Sequence, residues 1–266
     1  MIPRTLPLPR AAGRARARTG RPVRIALALA AMAALLSVDA PDATARTPLG
    51  VTAWALPGAV ADRVGPLFAG GLAGGHFCTA AVVRSAGRDV IATAAHCLDS
   101  PGTTLFAPGY REGAAPYGAW RLTGVYVSPA WTDGEDPDAD IAFATVAPVG
   151  GGEHAAVEDA VEDAVGGFPV KGGQVDRAAV TVVGYPRDRD APLRCANGTD
   201  LVSATQRRIG CPDLSGGTSG SPWLVDGALT GVLGGHEGGG TVPEVSYSAV
   251  LGDGAVQLYR RAAGTG

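Results

Sequence analysis

Ser215-Gly216-Gly217-Thr218-Ser219-Gly220-Ser221-Pro222-Trp223 is the stretch from which the rest of this chain can be read. Gly216 and Gly217 precede Ser219 and Gly220 comes after it, so the backbone here can turn sharply and leave N–H groups facing a substrate. Amides of Gly217 and Ser219 set out in that way form an oxyanion hole, a device worth about 2.7–4 kcal/mol per donor. The stretch then runs into SPWLVD (221–226), a short apolar run of the kind that makes a strand. A Gly/Ser turn is also what an ordinary loop looks like. The reading therefore depends on what the chain supplies elsewhere.

Four histidines are present, His76, His96, His154 and His236. His96 ends the apolar run DVIATAAH (89–96) and is followed by Cys97, a position held in place and open to a cleft. An ordinary imidazole pKa of about 6.5 lets such a residue take and return a proton at neutral pH. Asp140 stands directly before the apolar run of DIAFATV (140–146), which draws it inward, where a carboxylate must find a partner. There it can accept Nδ1–H from a histidine, fix the tautomer and stabilise the imidazolium. Asp133, Asp136 and Asp138 belong to the polar TDGEDPDAD (132–140) and read as loop. Taken singly, each of these residues has a plain structural reading. His, Asp and Ser in that chain order form a specific constellation.

TAAHC (93–97), DIAF (140–143) and GGTSGSP (216–222) resemble the three signatures of the chymotrypsin/trypsin-like serine peptidases. The GTSGSP form and HFCTAAVV (76–83) are similar to the bacterial secreted branch that includes the glutamyl endopeptidases. The resemblance runs over about 64–260 in motif order. It implies an all-β fold of two six-stranded antiparallel barrels with the site in the crevice between them. Ser219 would attack the scissile carbonyl, His96 would shuttle the proton, Asp140 would orient His96, and Cys78 would bridge to Cys97. Thr218 departs from the animal digestive enzymes, which carry an acid there, and no Ile-Val-Gly-Gly-like start comes after residue 45. Both departures argue against activation through a newly cut N-terminus. The serine-hydrolase layout that runs Ser, acid, His with G-x-S-x-G is disfavoured, because the order here is reversed and Ser221 replaces the last glycine.

The wider chain fits a turn-rich β protein. Its 266 residues include 40 Gly and 20 Pro, with 46% apolar and 18% charged residues. No Gly-X-Y period exists, and the apolar share is too high and the net charge of −3 too small for disorder. CTAAVV (78–83), RLTGVYV (121–127), RAAVTVVGY (177–185) and ALTGVLGG (228–235) join the runs already quoted as short strands of a sandwich or of one or two barrels. One helix is expected over GDGAVQLYRRA (252–262), packing through Val256, Leu258 and Tyr259. The segment 147–169 carries a doubled AVED unit with acids at 158, 159, 162 and 163 and reads as a solvated linker or surface helix. Its acids lack a cation-binding loop pattern. The expected division is a signal peptide over 1–45, an N-terminal barrel over 46–150, an acidic linker over 151–169 and a C-terminal barrel over 170–266. Residues 46–63 fit either a short propeptide or an ordered arm.

Seven arginines precede residue 25, followed by fourteen uncharged residues and Ala43-Thr44-Ala45, a secretory pattern with cleavage after Ala45. Residues 46–266 hold 15 basic and 23 acidic residues, a net charge of −8 with Lys171 the single lysine, and offer no basic patch for nucleic acid. Cys78, Cys97, Cys195 and Cys211 allow three disulfide pairings, of which neighbour with neighbour closes one short loop in each half. The cysteines and histidines lack zinc-ligand spacing, and no cofactor or metal is expected. The functional expectation is a secreted, monomeric serine endopeptidase acting on polypeptides, without lasting membrane association once the signal is removed. A catalytically silent binding module and an esterase using the same triad are the alternatives. The resemblance places the primary specificity pocket between the residues just before Ser219 and the edge Gly234-Gly235-His236. Asp213, six residues before Ser219, stands where the trypsin-like members have a cation-binding acid and would favour a basic residue at P1, the residue that donates the scissile carbonyl. His236, beside Gly234 and Gly235 on the expected substrate-binding edge, would favour an acidic one, and a small or apolar P1 stays open. Glycines 238–240 read as ordinary loop.

Overall fold

The strand ladders of the described residues are all antiparallel, as short runs bounded by turn residues require. The computed structural model describes residues 48–98, 101–150, 160–173 and 178–265. The expected signal segment, its cleavage site and His154 lie outside these residues.

After an outlying strand β1 (Val51–Trp54), six strands close into a barrel: β2 (Val64–Ala69), β3 (His76–Val83), β4 (Val90–Thr93), β5 (Thr104–Phe106), β6 (Trp120–Tyr126) and β7 (Ala142–Pro148). Their order around the barrel is β2-β3-β4-β7-β6-β5. So narrow a barrel is filled by small and branched side chains. Ala80, Ala92, Ala142 and Ala144 accordingly lie fully buried with Val82, Ile91 and Phe106. A short helix α1 (Pro129–Gly134) interrupts the path from β6 to β7, with Pro129 in its first turn and the Ser128 hydroxyl accepting the Ala130 N–H.

The second half consists of β8 (Ala179–Gly184), β9 (Leu193–Leu201), β10 (Gln206–Gly210), β11 (Pro222–Val225), β12 (Ala228–Val232) and β13 (Val245–Ala249). Six strands are present as expected, in the order β12-β11-β8-β9-β10-β13, but among the described residues no ladder joins β12 to β13, so the sheet curls without closing. Trp223 and Arg207 are the two largest fully buried residues, and the guanidinium lies 5.4 Å from the indole ring. Thr230 sits at the register shift between β11 and β12, where its carbonyl accepts Arg207 Nη2 at 2.6 Å. Burial pushes the Arg207 pKa down to about 10, so the side chain stays charged at neutral pH.

Residues 48–63 form an ordered arm. β1 pairs with the first half of β9, from Val51 opposite Ala196 to Trp54 opposite Leu193. β10 covers only Thr199–Leu201 of β9, and the arm fills the free edge, which blunts an otherwise exposed strand. The acidic segment is less solvated than its sequence implies. In its described part, Val161 of α2 (Val161–Val165) and Phe168 are fully buried. Phe168 donates its N–H to Val82 and accepts from Arg84, Glu162 accepts the Ser85 N–H, and Asp163 pairs with Arg88. The C-terminal helix α3 (Asp253–Ala262) lies where expected, with Leu258 buried. It packs on the first barrel: Tyr259 donates its hydroxyl to the Arg84 carbonyl and stacks at 5.5 Å against Phe143. The two halves thus exchange their ends. Disulfides join Cys78 to Cys97 and Cys195 to Cys211, across 19 and 16 positions. Loops of that length are each worth about 3 kcal/mol through the unfolded chain.

Candidate active site

His96 and Asp140 come together at the rim of the first barrel. Behind β4 the chain makes a single tight turn over Ala95–Cys97, and the Cys78–Cys97 disulfide anchors that turn to β3. Asp140 ends a second such turn over Pro137–Ala139, two residues before β7, and is 0% exposed. Its Oδ1 accepts the His96 backbone N–H at 3.0 Å, and its Oδ2 accepts His96 Nδ1–H at 2.8 Å and the Gly235 N–H at 2.7 Å. Three donors compensate the buried carboxylate. The Nδ1 bond leaves Nε2 free to act as acceptor, the tautomer that general-base chemistry needs. The imidazole keeps 26% of its side-chain surface exposed, and Trp131 of α1 stands beside it with ring centroids 6.4 Å apart.

The Ser219 loop reaches this rim from the second half, and a residue absent from the sequence expectation holds it there. Thr79 of β3, fully buried, donates its N–H to the Ser219 carbonyl at 2.7 Å and its hydroxyl to the Gly217 carbonyl at 3.0 Å. The same hydroxyl accepts the Tyr185 N–H at 3.0 Å, and the Thr79 carbonyl accepts the Thr93 hydroxyl at 2.8 Å. One side chain thus ties the Ser219 loop to the strand that also carries Cys78. Thr79→Val keeps the shape and the backbone bond but orphans a buried N–H and a buried carbonyl. It is expected to cost about 1–3 kcal/mol of stability and to lower kcat about tenfold with KM little changed. Thr79→Ser should restore both. Denaturant unfolding and steady-state kinetics on the three proteins measure this.

The amides beside Ser219 are oriented by their neighbours. Arg187 donates its N–H to the Gly216 carbonyl at 2.7 Å, and Ser221 donates to the Thr218 carbonyl at 3.0 Å. In a trans peptide the N–H points opposite to the C=O. The N–H groups of Gly217 and Ser219 are therefore turned away from these bonds, and neither donates to any acceptor among the described residues. Arg187 is in turn steadied by its loop, where His76 Nε2 meets the Arg189 carbonyl at 3.1 Å. Burial holds the His76 pKa below its ordinary value, so this histidine stays neutral near pH 7.

Gln206, also unforeseen, bridges the two halves. Its Nε2 donates to the Pro137 carbonyl at 3.0 Å and to Asp138 Oδ1 at 2.7 Å, while its Oε1 accepts the His236 N–H at 3.2 Å. The turn that carries Asp140 is thereby fixed to the segment that donates Gly235 N–H. Gly235 thus serves the acid through its N–H, and at Gly234 a Cβ would stand 2.7 Å from Asp140 Oδ2; neither lines the cavity beside Ser219. That cavity, about 240 Å³, is lined instead by Leu214, Ser215, Gly216, Thr218, Ser219 and Leu233 together with residues 238–243 and Val245. Asp213 is exposed in a left-handed turn and contributes no wall. The His236 side chain is half exposed, 4.8 Å edge-on to Tyr247 and 3.9 Å from Glu237. Cys78, His96 and Cys97 form the grouping of potential metal ligands among the described residues, but both sulfurs are tied in the disulfide.

No protein-family model and no curated protein matches this chain. Solved structures do. The chain is 25% identical to the protease Anisep from Arthrobacter nicotinovorans, with 80% of this chain and all of that one covered and a TM-score of 0.67. It is 28% identical to the thermostable serine protease AL20 from an extremophilic microorganism, with 79% and 100% covered and a TM-score of 0.65. A Glu endopeptidase in complex with MPD shares the fold at 15% identity and a TM-score of 0.65, with 82% and 98% covered.

Proposed function

On the fold of the bacterial chymotrypsin-like serine proteases, which this chain shares, we propose that it is a secreted serine endopeptidase. Ser219 Oγ attacks the carbonyl carbon of the scissile bond as His96 Nε2 takes its proton, giving a tetrahedral oxyanion. The N–H groups of Gly217 and Ser219 donate to that oxygen. His96 then hands the proton to the leaving amine, the amine departs, and Ser219 is left as an acyl ester. Water, deprotonated by His96, cleaves the ester and regenerates the hydroxyl. Asp140 never takes the proton; it holds His96 in one tautomer and offsets the imidazolium charge.

The observation that carries this reading is the fully buried Asp140 carboxylate, 2.8 Å from His96 Nδ1 and bonded besides to N–H groups from both halves of the molecule. Secretion rests on the arginine-rich start followed by an uncharged run, and on two disulfides, which persist in oxidising compartments. The test is covalent. A fluorophosphonate probe should label the purified protein at Ser219, located by peptide mass spectrometry, and the same preparation should degrade casein. Failure to label a folded protein would turn the reading toward a silent binding module. Labelling with ester turnover but no peptide cleavage would turn it toward an esterase.

A further inference from the structure

The cavity beside Ser219 has no charged residue in its lining, and its walls are of three kinds. One is the hydroxyls of Ser215, Thr218 and Thr241, of which Thr218 donates to the Ser215 carbonyl and Thr241 to Glu237. Leu214 and Leu233, both nearly buried, and Val242, Pro243 and Val245 present carbon. Residues 238–240 present bare backbone. Gly239 and Gly240 lie at φ +108° and +116°, where a side chain is strained. A Cβ on Gly239 would stand 2.5 Å from Leu233 Cδ2, and one on Gly240 would stand 2.7 Å from the Val245 carbonyl. The wall can be that close to the leucine only because it is glycine.

From this we infer that the cavity is the P1 pocket and that it selects an uncharged apolar side chain of leucine or phenylalanine size. The inference rests on the peptidase reading for the cleavage itself, though not for the binding. The volume is about 240 Å³. It takes a large aliphatic or aromatic side chain and leaves little gain for alanine or glycine. A basic P1 residue would bring its charge among leucines and valines with no carboxylate in the wall, and an acidic one would meet no cation there. Either loses hydration without an opposite charge, and the Thr218 and Thr241 hydroxyls in the wall already donate elsewhere. The two residues that could have reversed this are turned elsewhere: Asp213 into solvent, His236 against Tyr247 and Glu237.

Two measurements decide the matter, and they fail separately. A peptide library digested by the wild-type protein should give cleavage after Leu, Phe and Met, with kcat/KM about 30-fold or more above Arg, Lys, Glu or Asp at P1. Hexapeptide acids ending in Leu, Arg or Glu, titrated into Ser219→Ala by calorimetry, should bind in the same order. Equal or better use of a charged P1 in either measurement overturns the inference and leaves the peptidase reading standing. No cleavage of any peptide, together with no fluorophosphonate labelling, overturns the peptidase reading, while the titration still decides the pocket. Val242→Asp adds a third arm: Val242 is 55% exposed at the pocket rim, so a carboxylate there is tolerated. It should raise the Arg-to-Leu ratio at least tenfold in cleavage or binding, and an unchanged ratio would place P1 somewhere else.

Discussion

Ser219→Ala, His96→Ala and the double variant are expected to lose the same activity, about a million-fold in kcat, because in the proposed mechanism nucleophile and base act as one unit. Additive losses would mean that the two residues serve separate steps. Asp140→Asn should cost less, about ten-thousand-fold. The geometry explains why so small a change matters. All three groups facing the Asp140 carboxylate are donors: His96 N–H, His96 Nδ1–H and Gly235 N–H. An amide brings an NH₂ where only acceptors are useful. Whichever way it is flipped, one donor meets another, or His96 changes tautomer and presents Nε2–H to the serine. Fluorophosphonate labelling rates measured alongside peptide hydrolysis should fall in the same order. Retention of a tenth of wild-type kcat in Asp140→Asn would remove Asp140 from the assignment.

These residues are readable because their signals are local. His96 is next to a cysteine at the end of an apolar run, Asp140 stands before another, and Ser219 lies among glycines. β3, β7, β8, β11 and β12 carry the same kind of signal in their apolar runs. β9 and β10 do not. LRCANGTDL (193–201) and QRRIG (206–210) look polar, and they are strands through ladders to distant partners, β9 with β1 and β8 and β10 with β13, while Arg207 turns inward to a carbonyl 23 positions away. Thr79 and Gln206 are illegible for the same reason. Their partners Gly217 and Pro137 lie 138 and 69 positions off, so no window of sequence contains the interaction.

The pocket shows the limit of counting residues. Asp213 lies six positions before Ser219, as a cation-binding acid would, yet the turn at φ +64° leaves Asp213 in solvent and puts Leu214 in the wall. The glycines divide just as unexpectedly. The run at 238–240, which looks like plain loop, lines the cavity beside Ser219, whereas Gly235 of the expected substrate edge donates to Asp140. Composition identifies a residue type that permits close approach; only the fold says what approaches.

Gly217→Ala is expected to lower kcat about 100- to 1000-fold, the effect of removing one oxyanion donor. Gly217 has φ +100°, and a Cβ there would stand 2.5 Å from Arg187 N and 2.7 Å from the Tyr185 carbonyl. Neither is the end of a flexible side chain. Arg187 N–H is the group that orients the Gly216 carbonyl, so displacing it lets the Gly216–Gly217 peptide rotate. Rotation takes the Gly217 N–H off the developing oxyanion while Ser219, His96 and Asp140 keep their places. The signature is therefore specific. Peptide boronic acids, which form the tetrahedral adduct, should lose affinity in parallel with kcat, while KM for substrate stays within about threefold. A generic glycine effect is controlled by Gly254→Ala on α3, where the added methyl meets open space and helix propensity favours alanine by up to about 1 kcal/mol. That variant should keep wild-type kcat. Should Gly217→Ala raise KM and leave kcat and boronate affinity intact, the Gly217 amide would be a substrate contact and not part of the oxyanion hole.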